Sequence, residues 1–236
     1  MDMSASKKIC LIEYPGVVPY EQALRLQQSL AQARAENAIP DALLLLQHPP
    51  VFTLGRFRGR EEIIASPELL SKEGIEVVQT NRGGSITYHG PGQLVGYPIF
   101  NLKNYDIGVR EYIWELEEVI IRLLAGFGIQ SQRVAEFSGG VWVGEEKICS
   151  IGIHVSHYIT MHGFALNVNT NLRHFEFINP CGIKGAVMTS LSKLLGRPVE
   201  VEALIEPLLD VFADEFGIKY EWGLEKCLAT LDARNG

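Results

Sequence analysis

The sequence has 236 residues, 47% of them hydrophobic, and a formal net charge of −7 at pH 7. This apolar content is ample for a packed core, and the negative charge argues against nucleic-acid binding, which needs a concentrated positive surface. The apolar runs fall far short of the ~20 residues of a membrane-spanning helix, and the N-terminus lacks the features of a secretory signal. We expect a soluble, cytoplasmic protein that binds neither nucleic acid nor membranes.

The first half of the chain predicts strands and helices in uneven alternation. Apolar residues recur with the helical period after Tyr20, and Pro40 ends that helix. Ser66 is an N-cap for a short helix that begins at Pro67 and that Gly74 closes. In chain order the predicted elements are a strand at residues 8–14, a helix at 20–37, a strand at 42–47, the short helix, and strands at 75–80 and 94–100.

The second half contains the clearest amphipathic helix, at residues 109–127, in which Ile113, Leu116, Ile120 and Leu124 form one apolar stripe. The elements predicted after it are short strands at 141–143, 147–155 and 164–168 and helices at 187–195 and 200–216.

The order of these elements indicates an α+β fold. Several strands follow one another directly and the helices are inserted unevenly, which argues against a doubly wound parallel sheet. No internal repeat, low-complexity segment or linker divides the chain. We therefore expect a single domain over residues 1–236, with its core at about residues 8–215.

The most informative stretch lies between two predicted strands and begins Arg-Gly-Gly-Ser-Ile-Thr-Tyr-His at residues 82–89. Glycine lets the backbone adopt positive φ and approach a ligand without a Cβ in the way. The stretch therefore predicts a wall of backbone around a bound group, with a few polar side chains to orient it. The alternative is a glycine-rich connection between two strands, because short glycine motifs often match by chance.

Cys181 lies in an Asn-Pro-Cys-Gly turn ahead of the predicted helix at 187–195. Such a turn projects a thiol, and a helix N-terminus or a nearby cation lowers its pKa from ~8.5. The alternative is a buried structural thiol, which is the commoner role of a free cysteine. That role is predicted for Cys149, which alternates with apolar residues on a strand, and for Cys10 and Cys227.

Lys147 opens a predicted strand of otherwise apolar and small residues, although most lysines are solvated surface groups. A lysine beside a thiol stabilises thiolate as a cation or acts as a general base as an amine. His154 and His157 could suggest a metal site, but they point to opposite faces of a strand and no zinc-like spacing is present. We expect no metal.

Four motifs together resemble the signature of the lipoyl-pathway octanoyltransferases, or lipoyl(octanoyl) transferases, of the biotin/lipoate protein ligase superfamily. The motifs occupy residues 82–100, 140–153, 162–167 and 179–182, and the resemblance covers about residues 8–215. It implies a central mixed, largely antiparallel sheet with surrounding helices.

The resemblance also implies a site. Cys181 is the implied acyl-thioester nucleophile, and Lys147 the residue that lowers its pKa or acts as general base. His89 contacts substrate or makes a structural hydrogen bond, two alternatives that the sequence leaves open, and Asn167 is predicted to cap a loop. The implied substrate-binding residues are Arg82, Gly83, Gly84, Ser85, Ile86, Thr87, Tyr88, His89, Ser150, Ile151, Gly152, Gly163, Phe164 and Ala165.

The implied reaction moves an octanoyl or lipoyl group from acyl carrier protein through Cys181 to a lysine of a lipoyl domain. The implied acceptors are 2-oxoacid dehydrogenase complexes and the glycine cleavage H protein, and no cofactor is needed. Arginines at positions 56, 58 and 60 would help dock these acidic partners, or would belong to the scaffold. The alternatives are an ATP-dependent lipoate or biotin protein ligase, which needs no cysteine nucleophile, and a non-catalytic acyl-carrier-binding protein.

Overall fold

The computed structural model describes residues 7–56, 59–134, 139–179, 187–224 and residue 227. In these residues the strands are β1 (Lys8–Glu13), β2 (Asp41–Leu46), β3 (Val51–Leu54), β4 (Glu76–Gln79), β5 (Ile86–His89), β6 (Gln93–Ile99), β7 (Gly140–Val143), β8 (Glu146–Ser156), β9 (Ile159–Asn167), β10 (Val187–Met188) and β11 (Ile218–Trp222). The α-helices are α1 (Tyr20–Ala35), α2 (Pro67–Lys72), α3 (Val109–Gly126), α4 (Leu191–Leu195) and α5 (Ile205–Glu215). Short 3-10 helices lie at Arg60–Glu62, Leu102–Asn104, Leu172–Phe177 and Val201–Leu204.

Most of these strands form one mixed sheet in the order β10-β8-β9-β6-β2-β1-β11, and β7 also pairs with β8. The pairs in its middle are antiparallel, namely β2 with β6, β6 with β9 and β9 with β8, and so is β7 with β8. Strands β2 and β11 run parallel to β1, and β10 runs parallel to β8. The predicted α+β fold with a central mixed, largely antiparallel sheet is confirmed.

Strand β2 shows that the large sheet is covered on both faces. All of its residues are buried. Leu43 and Leu45 belong to the main core, together with the apolar faces of α3 and α5. Leu44 and Leu46 belong to a second cluster on the other side, which includes Ala23 of α1. Burial on both faces explains why this strand is one continuous apolar run.

Strands β4, β3 and β5 form a separate three-stranded sheet with its own apolar core around Phe52, Tyr88 and Phe175. The connection from β4 to β5 carries the glycine-rich residues 82–85. The backbone N–H of Gly83 donates to the carbonyl oxygen of Ile153 on β8 at 2.8 Å. The glycine-rich connection, called the glycine loop below, therefore lies where the small sheet meets the large one.

The predicted helix at 187–195 is wrong in its first half. Val187 and Met188 pair with Glu146 and Lys147 of β8, and the helix begins only after Ser190, whose Oγ accepts the N–H of Lys193 at 3.3 Å. Strands β3, β5 and β11 and the first half of β9 were not predicted. Among the described residues, no helix is both long and apolar enough to cross a membrane.

Candidate active site

A cavity of about 250 Å³ lies between the glycine loop and the large sheet. Strands β8, β9 and β6, which are consecutive in the sheet, contribute to its wall. Because neighbouring strands lie about 4.8 Å apart, this wall crosses about 10 Å of sheet. The residues that line the cavity are Tyr20, Arg82, Gly83, Gly84, Ser85, Ile86, Thr87, His89, Tyr97, Gly139, Lys147, Ser150, Ile151, Gly152, His162, Gly163, Phe164 and Ala165.

The structure brings together all of the predicted substrate-contact residues except Tyr88. The Tyr88 side chain lies in the core of the small sheet, where its hydroxyl is 2.8 Å from Nδ1 of His174. The strand period of two places it on the face of β5 opposite to Thr87 and His89. Sequence reasoning missed Tyr20, Tyr97, Gly139 and His162, of which the last begins one of the recognised motifs.

Small residues allow the walls of the cavity to pack closely. A Cβ on Gly152 would lie 3.0 Å from the carbonyl oxygen of Gly83, and a Cβ on Gly163 would collide with the carbonyl oxygen of Gly96. Gly84 has a φ of +86°, a conformation that side chains disfavour. Close backbone approach therefore favours glycine at positions 152 and 163, and the positive φ favours it at position 84, as predicted for the glycine loop.

Arg82 fixes the start of the glycine loop. Its guanidinium donates to the carbonyl oxygen of Thr53 at 2.5 Å, to Oγ1 of Thr53 at 2.9 Å and to the carbonyl oxygen of Gly83 at 3.0 Å. The side chain is buried, and its positive charge lowers the pKa of His89 and His162 further than burial alone.

His89 belongs to a buried chain of hydrogen bonds. Gln93 donates through Nε2 to Oδ1 of Asn167 at 3.0 Å, so its Oε1 accepts from Nδ1 of His89 at 2.8 Å. Nε2 of His89 then accepts from the hydroxyl of Thr53, at 3.4 Å. Nδ2 of Asn167 donates to the carbonyl oxygen of Thr189 at 3.1 Å. His89 thus makes the structural hydrogen bonds that one of its two predicted roles requires. Asn167 links β9 to Thr189, the residue after β10, and does not cap a loop.

The buried histidines around the cavity are neutral at physiological pH. Burial lowers the pKa of His48 to about 4 and that of His162 to about 3, and the pKa of His89 falls well below its usual range for the same reason. His48 donates from Nδ1 to the carbonyl oxygen of Val18 at 2.7 Å, so its Nε2 accepts from the hydroxyl of Tyr97 at 2.7 Å. These histidines are therefore polar but uncharged, whereas Arg82, which lines the same cavity, carries a positive charge.

A β-bulge aims Lys147 at the cavity. Val141 pairs with Cys149 and Trp142 pairs with Lys147, so β8 holds one extra residue at this point. A bulge switches the alternation of side chains along a strand. Cys149 faces the main core, where burial raises its thiol pKa to about 12, whereas Lys147 lines the cavity. The core role predicted for Cys149 is confirmed.

Lys147 is buried, with an exposed fraction of 3%. Its Nζ donates to the carbonyl oxygen of Gly139 at 3.4 Å and lies 5.6 Å from the centre of the Trp142 ring. Strand β10 runs beside it, since the N–H of Thr189 donates to its carbonyl oxygen at 2.9 Å. The surface alternative for Lys147 is therefore wrong.

Cys181 lies outside the described residues, as do Arg58 and the rest of segment 180–186. The chain enters this segment after Asn179, whose N–H donates to the carbonyl oxygen of Glu62 at 2.9 Å. It leaves the segment at Val187, the residue that pairs with Glu146. Cys181 as nucleophile remains a prediction. Of the remaining cysteines, Cys10 is buried and Cys227 is partly buried.

Comparison with known proteins identifies the relatives of this chain. Residues 19–213 match the model of the lipoyl protein ligase A/B catalytic domain. The chain is 49% identical over 215 residues to an octanoyltransferase of Caldicellulosiruptor saccharolyticus, covering 91% of this chain and 90% of that protein. It is 43% identical over 207 residues to an octanoyltransferase of Desulforamulus reducens, covering 87% and 90%.

Solved structures with the same fold are more distant in sequence. A putative lipoate protein ligase of T. acidophilum with bound lipoic acid aligns with a TM-score of 0.73 at 16% identity, over 92% of this chain and 89% of that one. A lipoate-protein ligase A bound with ATP aligns with a TM-score of 0.72 at 15% identity, over 92% of this chain and 88% of that one. These likenesses establish the fold.

Proposed function

The chain belongs to the lipoyl protein ligase A/B catalytic domain family, with curated octanoyltransferases among its relatives, and we propose that it transfers octanoyl groups through a thioester on Cys181. The resemblance seen in the sequence motifs is thereby confirmed, and octanoyl transfer in protein lipoylation is the activity. The donor, the acceptor and the roles of individual residues are the proposal.

In the first step, the thiolate of Cys181 attacks the thioester carbonyl of octanoyl-acyl carrier protein. A new carbon–sulfur bond forms to Cys181, and the bond to the phosphopantetheine sulfur breaks. Lys147 holds the proton that leaves the Cys181 thiol and returns it to the departing phosphopantetheine thiolate. As an ammonium group, Lys147 also stabilises the thiolate before attack.

In the second step, the ε-amine of a lysine on a lipoyl domain attacks the acyl-enzyme. The carbon–nitrogen bond of an amide forms, the bond to Cys181 breaks, and the amine's proton passes to Lys147. The acceptors are lipoyl domains of 2-oxoacid dehydrogenase complexes and the glycine cleavage H protein. No ATP is consumed, because the thioester is already activated.

The cavity carries the proposal. It is enclosed by the glycine loop and three strands, and Lys147 lies in its wall. Its volume of about 250 Å³ is compatible with a medium-length acyl chain. The histidines beside the cavity are neutral, so an acyl chain can lie against them without burying a charged imidazolium.

The test is octanoylation of a purified lipoyl domain without ATP. We expect wild-type protein to modify the domain when octanoyl-acyl carrier protein is the donor, and to fail with free octanoate plus ATP. Cys181→Ala should abolish transfer, whereas Cys149→Ala should retain it with some loss of stability. Transfer from free octanoate that requires ATP would instead identify a ligase.

A further inference from the structure

Glu117 is a buried carboxylate on α3, with an exposed fraction of 6%. It lies among the apolar residues of the helix face that packs on β7 and β8. A charge removed from water in this way needs close hydrogen-bonding partners. One of the partners of Glu117, Gly139, lines the cavity.

Both carboxylate oxygens of Glu117 are occupied. Oε1 accepts the backbone N–H of Gly139 at 3.0 Å and that of Gly140 at 3.1 Å. Oε2 lies 3.2 Å from Nε of Arg133, whose guanidinium stacks on the Trp114 ring at 4.1 Å from its centre. The carboxylate therefore clamps two consecutive peptides.

One of these peptides also contacts Lys147. The N–H of Gly140 and the C=O of Gly139 belong to the same trans peptide and point in opposite directions. The N–H side faces Glu117, and the carbonyl oxygen accepts Nζ of Lys147 at 3.4 Å and the N–H of Ile151 at 2.9 Å. Aligned hydrogen bonds of this kind polarise and strengthen one another.

The geometry points to Glu117 as a positioning residue, which holds the amine of Lys147 in place through the peptide between Gly139 and Gly140. The assignment rests on the proposed function, in which Lys147 serves Cys181. It is consistent with Gly139 adopting a φ of +85°, since this backbone must bring two N–H groups to one carboxylate oxygen.

Two substitutions of Glu117 separate positioning from support of the fold. Glu117→Ala removes the clamp, and we expect the rate of octanoyl transfer at saturating substrate to fall about tenfold or more with little change in KM. Alkylation of Cys181 by iodoacetamide should shift to a higher apparent pKa. Glu117→Gln still accepts both N–H groups and should restore most of the rate and of the alkylation profile.

Glu118→Ala is the matched control. Glu118 is the adjacent carboxylate on α3 and pairs with Nη2 of Arg133 at 2.6 Å; within the described part of the chain, its hydrogen-bond partner is Arg133 and not the Gly139–Gly140 peptide. Both variants remove one carboxylate from Arg133, so a wild-type alkylation profile for Glu118→Ala assigns the shift in Glu117→Ala to the clamp. Circular dichroism confirms that each variant is folded.

A double-mutant comparison completes the test. If Glu117 acts through Lys147, Glu117→Ala should have no further effect on alkylation in a Lys147→Ala background. An equal effect in both backgrounds, or a Glu117→Gln variant as defective as Glu117→Ala, would overturn the assignment while leaving the proposed function intact. An unchanged alkylation profile in Lys147→Ala itself would overturn both this assignment and the role proposed for Lys147.

Discussion

Gly140 provides the space that the Lys147 side chain occupies. A Cβ at this position would collide with Cε of Lys147 and lie 2.8 Å from its Nζ and from the carbonyl oxygen of Cys149. The lysine and the glycine are therefore coupled, although they are seven positions apart in the sequence.

Replacement of Gly140 by alanine should displace Lys147. We expect octanoyl transfer to fall by about a hundredfold, because small misplacements of a reacting group have effects of that size. Overpacking should lower the free energy of unfolding by about 1–3 kcal/mol. Steady-state kinetics and urea denaturation measure the two effects.

Gly126→Ala is the control for this variant. Gly126 ends α3, and a Cβ there would meet nothing within 4 Å. Its activity should equal that of wild type, with a gain in stability of up to about 1 kcal/mol. Full activity in Gly140→Ala would show that the position of Lys147 is unimportant.

At this scale the sequence predicted most of the cavity lining but not the way each side chain points. Regular alternation from Cys149 would have placed Lys147 in the core, and only the bulge between β7 and β8 turns it to the cavity. Tyr88 is the opposite case: it lies within the motif at residues 82–100, yet its side chain points away from the cavity. Bulges depend on cross-strand partners, which the local sequence does not reveal.

At the scale of elements, Asn167 joins three strands. It accepts from Gln93 of β6, lies at the end of β9 and donates to Thr189, the residue that follows β10. Strand β10 is only two residues long, and this bond adds to the pairing with β8 that holds it beside Lys147. The chain segment that contains Cys181 is thereby tied at its C-terminal end.

Removal of the Asn167 side chain should weaken the attachment of Thr189 and β10 to the sheet. Asn167→Ala leaves the buried Gln93 and Thr189 groups without this partner, and we expect a loss of about 1–3 kcal/mol in the free energy of unfolding. Acylation of Cys181, followed by mass spectrometry over time, should also slow. Asn169→Ala, at an exposed asparagine two residues later, should change neither quantity. Equal acylation rates in the two variants would show that Asn167 does not help to hold the segment that contains Cys181.

The same region shows where element prediction from sequence fails. Residues 187–195 have helical character, yet Val187 and Met188 pair with β8 because the edge of the sheet is available there. Strand β3 was missed because it is a four-residue run that follows two prolines, and its pairing with β4 and β5 involves residues distant in sequence. Tertiary pairing decides such short segments. Long periodic helices such as α1 and α3 were predicted to within a few residues.

At the scale of the whole molecule, buried neutral histidines make stability depend on pH. The folded pKa of His48 is about 4 and that of His162 about 3, both below the unfolded value of ~6.5. The unfolded chain therefore binds more protons in this range, and stability present above pH 6.5 is lost as pH falls towards 4.

Part of this dependence is assigned to His48, whose pKa is lowered by burial. Between pH 7 and pH 5 its contribution to the loss should be about 2 kcal/mol, a figure of order-of-magnitude precision. His48→Gln should be less stable than wild type at pH 7 but should lose less on acidification, as measured by urea denaturation at each pH. The exposed His157→Gln should follow wild type. An identical pH slope in His48→Gln would contradict the assignment.

Net charge bears on docking. The protein carries −7 overall, while Arg56 and Arg60 are exposed. Arg56 lies beside the glycine loop, since its backbone N–H donates to the carbonyl oxygen of Arg82 at 3.1 Å. Complementary charge acts on association and is screened over ~8 Å at physiological salt. These two exposed arginines are therefore suited to contact an acidic partner.

Charge reversal tests this docking role. The double variant Arg56→Glu, Arg60→Glu should raise KM for octanoyl-acyl carrier protein or for the lipoyl domain at low salt and leave kcat close to wild type. Arg25→Glu, Arg197→Glu makes the same change in net charge at other exposed arginines and serves as control. Unchanged KM values for both partners would place Arg56 and Arg60 in the scaffold.

In the proposed mechanism, an octanoyl group is held on Cys181 between donor and acceptor. Intact-mass spectrometry of the protein after mixing with octanoyl-acyl carrier protein, without a lipoyl domain, tests it directly. We predict an adduct of one octanoyl group that peptide mapping places on Cys181, that is absent in Cys181→Ala, and that disappears when a lipoyl domain is added. Octanoylation of the lipoyl domain with no such adduct, or an adduct that persists in Cys181→Ala, would contradict the account.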